Sequence, residues 1–298
     1  MIKGVHEAEY ATIEVAAASG GYQVFVGPSL LASVPAVVAT YAPARRLAVI
    51  SDDRVGPIHG ETVAEALRDA GHDITFLTFP EGEASKTRKF WSILTDEMLD
   101  AGLGRDCAVI GVGGGVTTDL AGFVAATFLR GVPIIQIPTT MLAMVDASVG
   151  GKTGVDVRNG KNLVGALHAP SAVIADTEVL KTLDTRFLAE GIVEAVDRGA
   201  DIVNLSLGGE ASSSLLEQAV QYAQSKGVTI VAAVGNEGRE GVAFPARYDG
   251  VIGVASVDAK GTASSFSNYG EGVDLGAPGV GVYSAWSEEG IVSFSGTS

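Results

Sequence analysis

The sequence has one cysteine, few basic residues relative to acidic ones, and no long apolar run. Cys107 is the single cysteine among 298 residues, which excludes an internal disulfide. Lysine and arginine number 20 against 35 acidic residues, and the formal charge of −15 argues against nonspecific nucleic-acid binding and against attraction to anionic membranes. No apolar run approaches the length of a membrane span, and residues 1–15 contain no apolar signal core. We therefore expect a cytoplasmic protein without nucleic-acid or membrane partners.

Short apolar runs alternate with helical patterns through the first part of the chain. The sequence predicts strands over 47–51, 74–79, 107–115 and 132–138, and helices over 61–70, 92–101 and 118–129. Continuous apolar runs are typical of parallel strands that are covered on both faces. The fold class predicted for this part is therefore α/β, with a Rossmann-like parallel sheet that binds a nucleotide.

The alternation resumes after about residue 200, where runs over 202–209 and 228–235 predict two further buried strands. Between them, Ser214 and Glu217 have the spacing of a capping box at the start of a helix. No linker rich in proline or serine separates the two parts, and the boundary falls inside a predicted helix, 186–197. We place two domains at residues 1–196 and 197–298, the second of them a partial α/β domain.

Two glycine-containing segments resemble nucleotide-binding motifs, and one of the two remains a candidate. GVGGGVTTDLAGF (111–123) follows a buried strand and opens a helix, where a pyrophosphate would meet free N–H groups. Val116 stands in place of the last glycine of a strict dinucleotide fingerprint, so a plain tight turn is equally compatible with this loop. GGKTG (150–154) is not a P-loop, because that motif needs a glycine where Asp146 stands. Lys152 and Asp146 are instead expected to form a charged pair, near a ligand or on the surface.

Five segments of the first domain resemble 3-dehydroquinate synthases. They are PEGEASKT (80–87), GGGVTTDLAGFVAATFLRG (113–131), IPTTMLAMVDASVGGKTGVD (137–156), GKNLVGALHAP (160–170) and the region of Glu190–Glu194. They match in order and spacing over roughly residues 13–196. The resemblance implies a domain that uses NAD transiently while phosphate leaves and a carbocycle closes, a metal, usually zinc, that acts as a Lewis acid, and a homodimer.

The resemblance also implies roles for individual residues. Those implied to contact NAD are Asp52, Glu83, Lys86, Gly114, Gly115, Val116, Asp119, Thr139, Thr140, Lys161, Thr182 and Leu183. Those implied to face the phosphorylated substrate are Arg130, Asp146, Lys152 and Asn162. Glu194 is implied to bind the metal.

The first domain also departs from that family. The family usually has an asparagine in place of Arg54 and a substrate-binding lysine in place of Asp197. Its two metal-binding histidines have no counterpart among the four histidines, which are His6, His59, His72 and His168. A zinc site needs about three protein ligands, so Glu194 alone makes an incomplete site. We expect no synthase turnover.

Six segments of the second domain resemble subtilisin-like serine proteases. They are DRGADIVNLSLGG (197–209), VTIVAAVGNEG (228–238), FPARYDGVIGVASVD (244–258), ASSFSNYG (263–270), VDLGAPGV (273–280) and FSGTS (294–298). The resemblance implies Ser298 as the nucleophile, Asn236 as the oxyanion donor, residues 207–209 as the lining of the substrate cleft, and a cis peptide at Phe244–Pro245.

A serine nucleophile also needs a base, and a third group that orients the base. The aspartate and histidine motifs of that family are absent from this sequence, and no histidine follows His168. Ser298 and Asn236 are therefore expected to be inactive in proteolysis.

Three functional hypotheses remain open at this point. The first is NAD binding without turnover, and the second is a protease-like module that holds peptides at residues 207–209. The third is a synthase that partner chains complete by supplying the histidines. They differ in the ligand required, which is NAD, a peptide or a separate helical domain.

Overall fold

The computed structural model describes residues 10–17, 21–285 and 291–297. The chain divides into two compact units between Val179 and Leu180. Helix Thr185–Asp197, in which the predicted domain boundary falls, lies entirely in the second unit.

The first unit is built on a seven-stranded sheet and a separate hairpin. Its strands are β1 (Ala11–Val15), β2 (Tyr22–Gly27), β3 (Arg46–Asp52), β4 (Asp73–Phe79), β5 (Cys107–Gly113), β6 (Ile134–Pro138), β7 (Lys152–Val157), β8 (Gly160–Leu167) and β9 (Ala172–Asp176). The order in the sheet is β1-β2-β9-β6-β5-β3-β4, and every pair except β1–β2 is parallel. Strands β7 and β8 form the antiparallel hairpin. The α/β fold with a Rossmann-like parallel sheet is thereby confirmed.

Helices cover both faces of this sheet. They are α1 (Val34–Tyr41), α2 (Glu61–Asp69), α3 (Arg88–Asp100) and α4 (Gly115–Thr127). Leu47 and Val49 of β3 pack in one core with α1 and α2, whereas Ala48 and Ile50 pack in a second core with α3 and α4. Successive strand residues point to opposite faces, so burial of both faces requires an uninterrupted apolar run. The sheet therefore forms a rigid base for the loops at its carboxyl edge.

The second unit contains a parallel sheet of four strands, β10 (Ile202–Leu205), β11 (Thr229–Ala233), β12 (Ile252–Val257) and β13 (Leu275–Pro278). Helices α5 (Thr185–Asp197) and α6 (Ser214–Ser225) pack against each other. Tyr222 on α6 donates a hydrogen bond to Asp197 on α5 at 2.5 Å. An antiparallel pair, β14 (Val282–Ala285) and β15 (Ile291–Phe294), completes the described part of this unit.

Two sequence predictions for the second unit are wrong in detail. Helix α6 is capped by Ser213 rather than Ser214, because the Ser213 hydroxyl accepts the N–H of Leu216 at 3.4 Å. Strand β10 is not buried on both faces, since Ile202 and Asn204 are exposed while Val203 and Leu205 are buried. An apolar run alone does not distinguish a central strand from one at the sheet edge.

Among the described residues, no helix combines the length and the apolarity that crossing a bilayer requires.

Candidate functional site

The topology of the sheet creates a crevice at the carboxyl ends of β3 and β5. From β3 the chain passes to β4 on one side and then returns to β5 on the other side. The connection after β3 runs to β4 on one side, whereas the connection after β5 runs to β6 on the other side. Open α/β sheets bind ligands at such a switch point. Asp52 is the last residue of β3 and Gly113 is the last residue of β5.

A glycine loop forms one wall of the crevice and leads directly into α4. Gly114 is the N-cap residue, and no side chain caps the helix. The first N–H groups of a helix have no acceptor within the helix, so this end attracts an anion. A Cβ atom on Gly114 would lie 3.0 Å from Cγ2 of Thr140, which shows how closely the loop meets the segment after β6.

Thr139 and Thr140 form the facing wall. The Thr139 amide donates to the Gly113 carbonyl at 2.9 Å and so ties the two loops together. The Thr139 hydroxyl is buried and has no hydrogen-bond partner in the part of the chain that the structure describes. A buried hydroxyl without a partner is costly, and a polar ligand in the crevice would remove that cost.

Asp52 supports the loop through both of its carboxylate oxygens. Oδ2 accepts from the Thr117 hydroxyl at 3.1 Å, and Oδ1 accepts from the amides of Arg54 and Val55 at 3.1 and 2.8 Å. The first contact fixes the first turn of α4 relative to the end of β3. Sequence reasoning missed Thr117, since the pattern of the motif says nothing about a bond to a strand 65 residues earlier.

A cluster of charges lies beside the loop. The Lys86 ammonium is 3.0 Å from Asp119, 3.5 Å from Glu83 and 3.9 Å from Asp156, and its side chain is only 5% exposed. Lys161 contacts Glu83 from the solvent side at 3.0 Å. The structure thus brings together four of the predicted cofactor residues, Glu83, Lys86, Asp119 and Lys161, and adds Asp156, which the sequence did not single out.

Burial and charge act against each other in this cluster. Burial alone would lower the pKa of Lys86, but the three neighbouring carboxylates outweigh it and raise the pKa. Burial raises the pKa of Asp119, although Lys86 acts in the opposite direction. For Glu83, burial would raise the pKa, yet Lys161 and Lys86 hold it below its ordinary value. Lys86 is therefore firmly cationic, and it is the charge on which the cluster depends.

A cavity of about 440 Å³ adjoins the cluster and is bounded by the β7–β8 hairpin. Three of the four predicted substrate residues line it, namely Asp146, Lys152 and Asn162, and Asp119 lines it from the side of the cluster. Lys152 and Asp146 are 3.9 Å apart, as the predicted charged pair requires. Arg130 does not line this cavity, and it is exposed in the turn after α4 with a left-handed φ of 74°.

Three other predicted residues, Thr182, Leu183 and Glu194, lie in the second unit. Glu194 accepts a hydrogen bond at 2.8 Å from Arg198, the C-cap residue that follows α5. Within residues 10–17, 21–285 and 291–297, no group of three or more histidine, cysteine, aspartate or glutamate side chains could hold a metal ion. The residues present do not fit the metal that the resemblance implies.

The protease-like residues of the second unit show a partial arrangement. The Asn236 side-chain oxygen accepts the Thr297 amide at 2.9 Å, whereas Ser298 lies outside the described residues. Gly209 and Phe244 exchange two backbone hydrogen bonds of 2.9 Å, and the Phe244–Pro245 peptide is cis, as the resemblance implies. His168, the last histidine in the sequence, lies in the first unit, where its Nε2 atom is 2.9 Å from the Val132 carbonyl oxygen.

Two known families match different but overlapping parts of the chain. Residues 76–190 match the family described as 3-dehydroquinate synthase N-terminal, and residues 149–298 match the subtilase family. The two matches overlap over residues 149–190.

Two curated relatives are 3-dehydroquinate synthases. That of Symbiobacterium thermophilum is 49% identical over 179 residues, which make up 60% of this chain and 50% of the relative. That of Caulobacter vibrioides is 42% identical over 226 residues, 75% of this chain and 60% of the relative. The chain thus spans little more than half the length of these relatives.

Two solved structures are similar to this chain. One is 2-deoxy-scyllo-inosose synthase complexed with carbaglucose-6-phosphate, NAD+ and Co2+, with a TM-score of 0.59, 28% identity, and coverage of 72% of this chain and 62% of that one. The other is 2-epi-5-epi-valiolone synthase from Streptomyces hygroscopicus subsp. jinggangensis with NAD+ and Zn2+ bound. Its TM-score is 0.52 at 32% identity, and it covers 62% of this chain and 49% of that one.

Proposed function

We propose that the first unit of this chain binds NAD, because residues 76–190 match the 3-dehydroquinate synthase N-terminal family and the curated relatives described above are 3-dehydroquinate synthases. Through residues 149–298, which make up half of its length, the chain belongs to the subtilase family. The proposed site is the crevice between β3 and β5. We also propose that residues 1–298 bind the cofactor without completing a cyclisation.

The proposal rests on one observation. Three features meet at the switch point of the sheet. Helix α4 begins there without a side-chain cap, Gly114 leaves room beside Thr140, and the Thr139 hydroxyl is buried without a partner. A pyrophosphate would accept hydrogen bonds from the free amides of α4 and from that hydroxyl. The similar structures that were solved with NAD+ support the same ligand.

The neighbouring cavity suits a phosphorylated compound with several hydroxyl groups. Lys152 offers an exposed ammonium and Asn162 an amide, while Asp119 and Asp146 offer carboxylate oxygens to hydroxyl donors. When bound, NAD supplies a hydride acceptor for the oxidation of a hydroxyl group. The contribution of this chain is to orient the two ligands from one rigid sheet edge.

No step of the proposed function depends on a metal. Glu194 is engaged by Arg198, and the described residues hold no group of metal ligands. Since the metal in this family acts as a Lewis acid on the substrate, the part of the chain that the structure describes does not supply this component of the reaction.

We therefore expect NAD binding without turnover. Isothermal titration of the 298-residue chain with NAD should give a saturable heat, whereas phosphate release from the family's heptulosonate phosphate should stay at background with NAD and zinc present. Release that depends on zinc and disappears in Glu194→Ala would show that a competent metal site exists. The absence of heat at millimolar NAD would refute the binding proposal itself.

A second candidate function, peptide binding by the second unit, rests on the contact between Asn236 and Thr297 and on the exposed residues Gly208 and Gly209. These residues arrange part of a protease-like cleft. They do not activate a nucleophile, because no histidine follows His168 in the sequence.

The second unit is accordingly expected to be inert toward serine-directed reagents. A hydroxyl without an adjacent imidazole stays protonated at neutral pH and is a poor nucleophile. An enzyme of this chemistry that has lost its triad retains an acceleration of about three to four powers of ten over water, which is too slow for stoichiometric labelling. Mass spectrometry after fluorophosphonate treatment should detect unmodified protein. Full labelling that is lost in Ser298→Ala would contradict the expectation.

A further inference from the structure

The β7–β8 hairpin is irregular where it borders both the charge cluster and the cavity. Val155 pairs with Val164 and Val157 pairs with Gly160. Asp156 on β7 therefore faces three residues on β8, Lys161–Leu163, so that β8 bulges. Bulges of this kind bend a strand and redirect its side chains, and they are common beside functional sites.

The Asp156 carboxylate holds this bulge in place. Its Oδ1 atom accepts the backbone N–H of Asn162 at 2.8 Å. Asn162 has a φ of 56°, a left-handed conformation that few non-glycine residues adopt and that asparagine adopts more readily than most. The contact therefore stabilises a backbone conformation that would otherwise be unfavourable.

Asp156 is connected to the cofactor side as well. Its amide donates to the Lys86 carbonyl at 2.7 Å, and its Oδ1 atom lies 3.9 Å from the Lys86 ammonium. A single oxygen atom of Asp156 thus faces both the buried cation and the Asn162 amide.

The bulge sends two neighbouring residues to different parts of the site. Lys161 reaches Glu83 at 3.0 Å, whereas Asn162 lines the cavity. In a regular strand, consecutive side chains would point to opposite faces of the hairpin and their positions would be set by the pleat alone. Lys161 and Asn162 instead lie within the bulge, where the register shift and the left-handed φ of Asn162 replace the regular pleat.

We propose that Asp156 is a positioning residue that joins the cofactor side of the site to the substrate side. It fixes the Lys161–Leu163 bulge and thereby sets Lys161 against Glu83 and Asn162 against the cavity. The expected effect of Asp156 on NAD affinity rests on the proposed NAD site. Its structural part, the fixed amide of Asn162, does not require NAD.

The experiment compares Asp156→Ala, Asp156→Asn and Val164→Ala in the full chain. Val164 is a half-buried residue of the same hairpin that packs on the core, and its truncation loosens the hairpin without touching the bulge contact. Three quantities are measured, namely amide exchange at Asn162 by NMR, NAD affinity by titration, and the midpoint of thermal unfolding.

Asp156→Ala should speed exchange of the Asn162 amide and weaken NAD binding, each by about tenfold, because a hydrogen bond to a carboxylate is lost. Asp156→Asn keeps an oxygen acceptor and should restore both within about twofold. Val164→Ala should lower the unfolding midpoint yet leave NAD affinity within about twofold of the wild type.

Equal loss of NAD affinity in Val164→Ala and Asp156→Ala would overturn the proposal, since hairpin stability alone would then explain the effect. Wild-type NAD affinity in Asp156→Ala would also overturn it. Wild-type protein that binds no NAD would instead refute the proposed function, while the exchange rate at Asn162 still decides whether Asp156 fixes the bulge.

Discussion

Gly114→Val is expected to weaken NAD binding strongly and to leave the fold in place. Gly114 has an extended backbone (φ −76°, ψ −169°) that valine also adopts, so the substitution causes little strain of the main chain. The added side chain meets Thr140, whose Cγ2 lies 3.0 Å from the new Cβ, and fills the space before the amides of α4. We expect the dissociation constant to rise by at least about tenfold, or about 1.4 kcal/mol.

Gly71→Ala is the matched control for Gly114→Val. Gly71 has a φ of 91° in the turn after α2, and no atom lies within 4 Å of its Cβ position. Alanine there should cost about 1 kcal/mol in stability through backbone strain alone. It should bind NAD like the wild type. Comparable loss of NAD affinity in both variants would mean that general destabilisation, and not the loop, explains the result.

Lys86→Met is expected to lower the free energy of unfolding by about 2–3 kcal/mol. Lys86 is the buried cation between Glu83, Asp119 and Asp156, and its loss leaves three carboxylates facing one another. This value lies below the range usual for a fully buried pair, because the three carboxylates keep some solvent contact. Urea denaturation measures the difference.

Lys161→Met is the control, because it removes a cation from the same Glu83 oxygen while its side chain is 72% exposed. Lys161→Met should lower the free energy of unfolding by less than about 0.5 kcal/mol.

A pH series adds a second check of the electrostatic role of Lys86. Without Lys86 the pKa values of the carboxylates rise, so stability is retained at low pH and lost as pH rises through those values. The loss of unfolding free energy in Lys86→Met should therefore be smaller at about pH 4 than at neutral pH. A deficit independent of pH would refute the electrostatic explanation.

The elements of the first unit could be predicted from the sequence where burial dominates. The runs predicted as strands at 47–51 and 107–115 correspond to β3 and β5, because both faces of these strands are covered by helices. Helix α4 begins at Gly115, three residues before the predicted start. Glycine and β-branched residues have low helix propensity, and packing against the sheet overrides it here.

The site was predicted only in part, for reasons of geometry. Motif positions identified Lys86 and Asp119, which the fold brings within 3.0 Å. Thr117 and Asp156 were missed, since their roles depend on a bond across the sheet and on a bulge, and neither leaves a periodic signal. In the second unit, Glu194 of α5 is paired with Arg198 at the C-cap of the same helix, which no motif indicated.

The most direct test of the central claim is amide hydrogen exchange of the full chain with and without saturating NAD. We predict that exchange slows by at least about tenfold for amides within residues 113–119 and 139–140, because ligand binding stabilises the conformation in which those amides are bonded. Amides of α6 and β11 should exchange at unchanged rates. Unchanged exchange in residues 113–119, or protection confined to the second unit, would contradict the assignment of the NAD site to the crevice between β3 and β5.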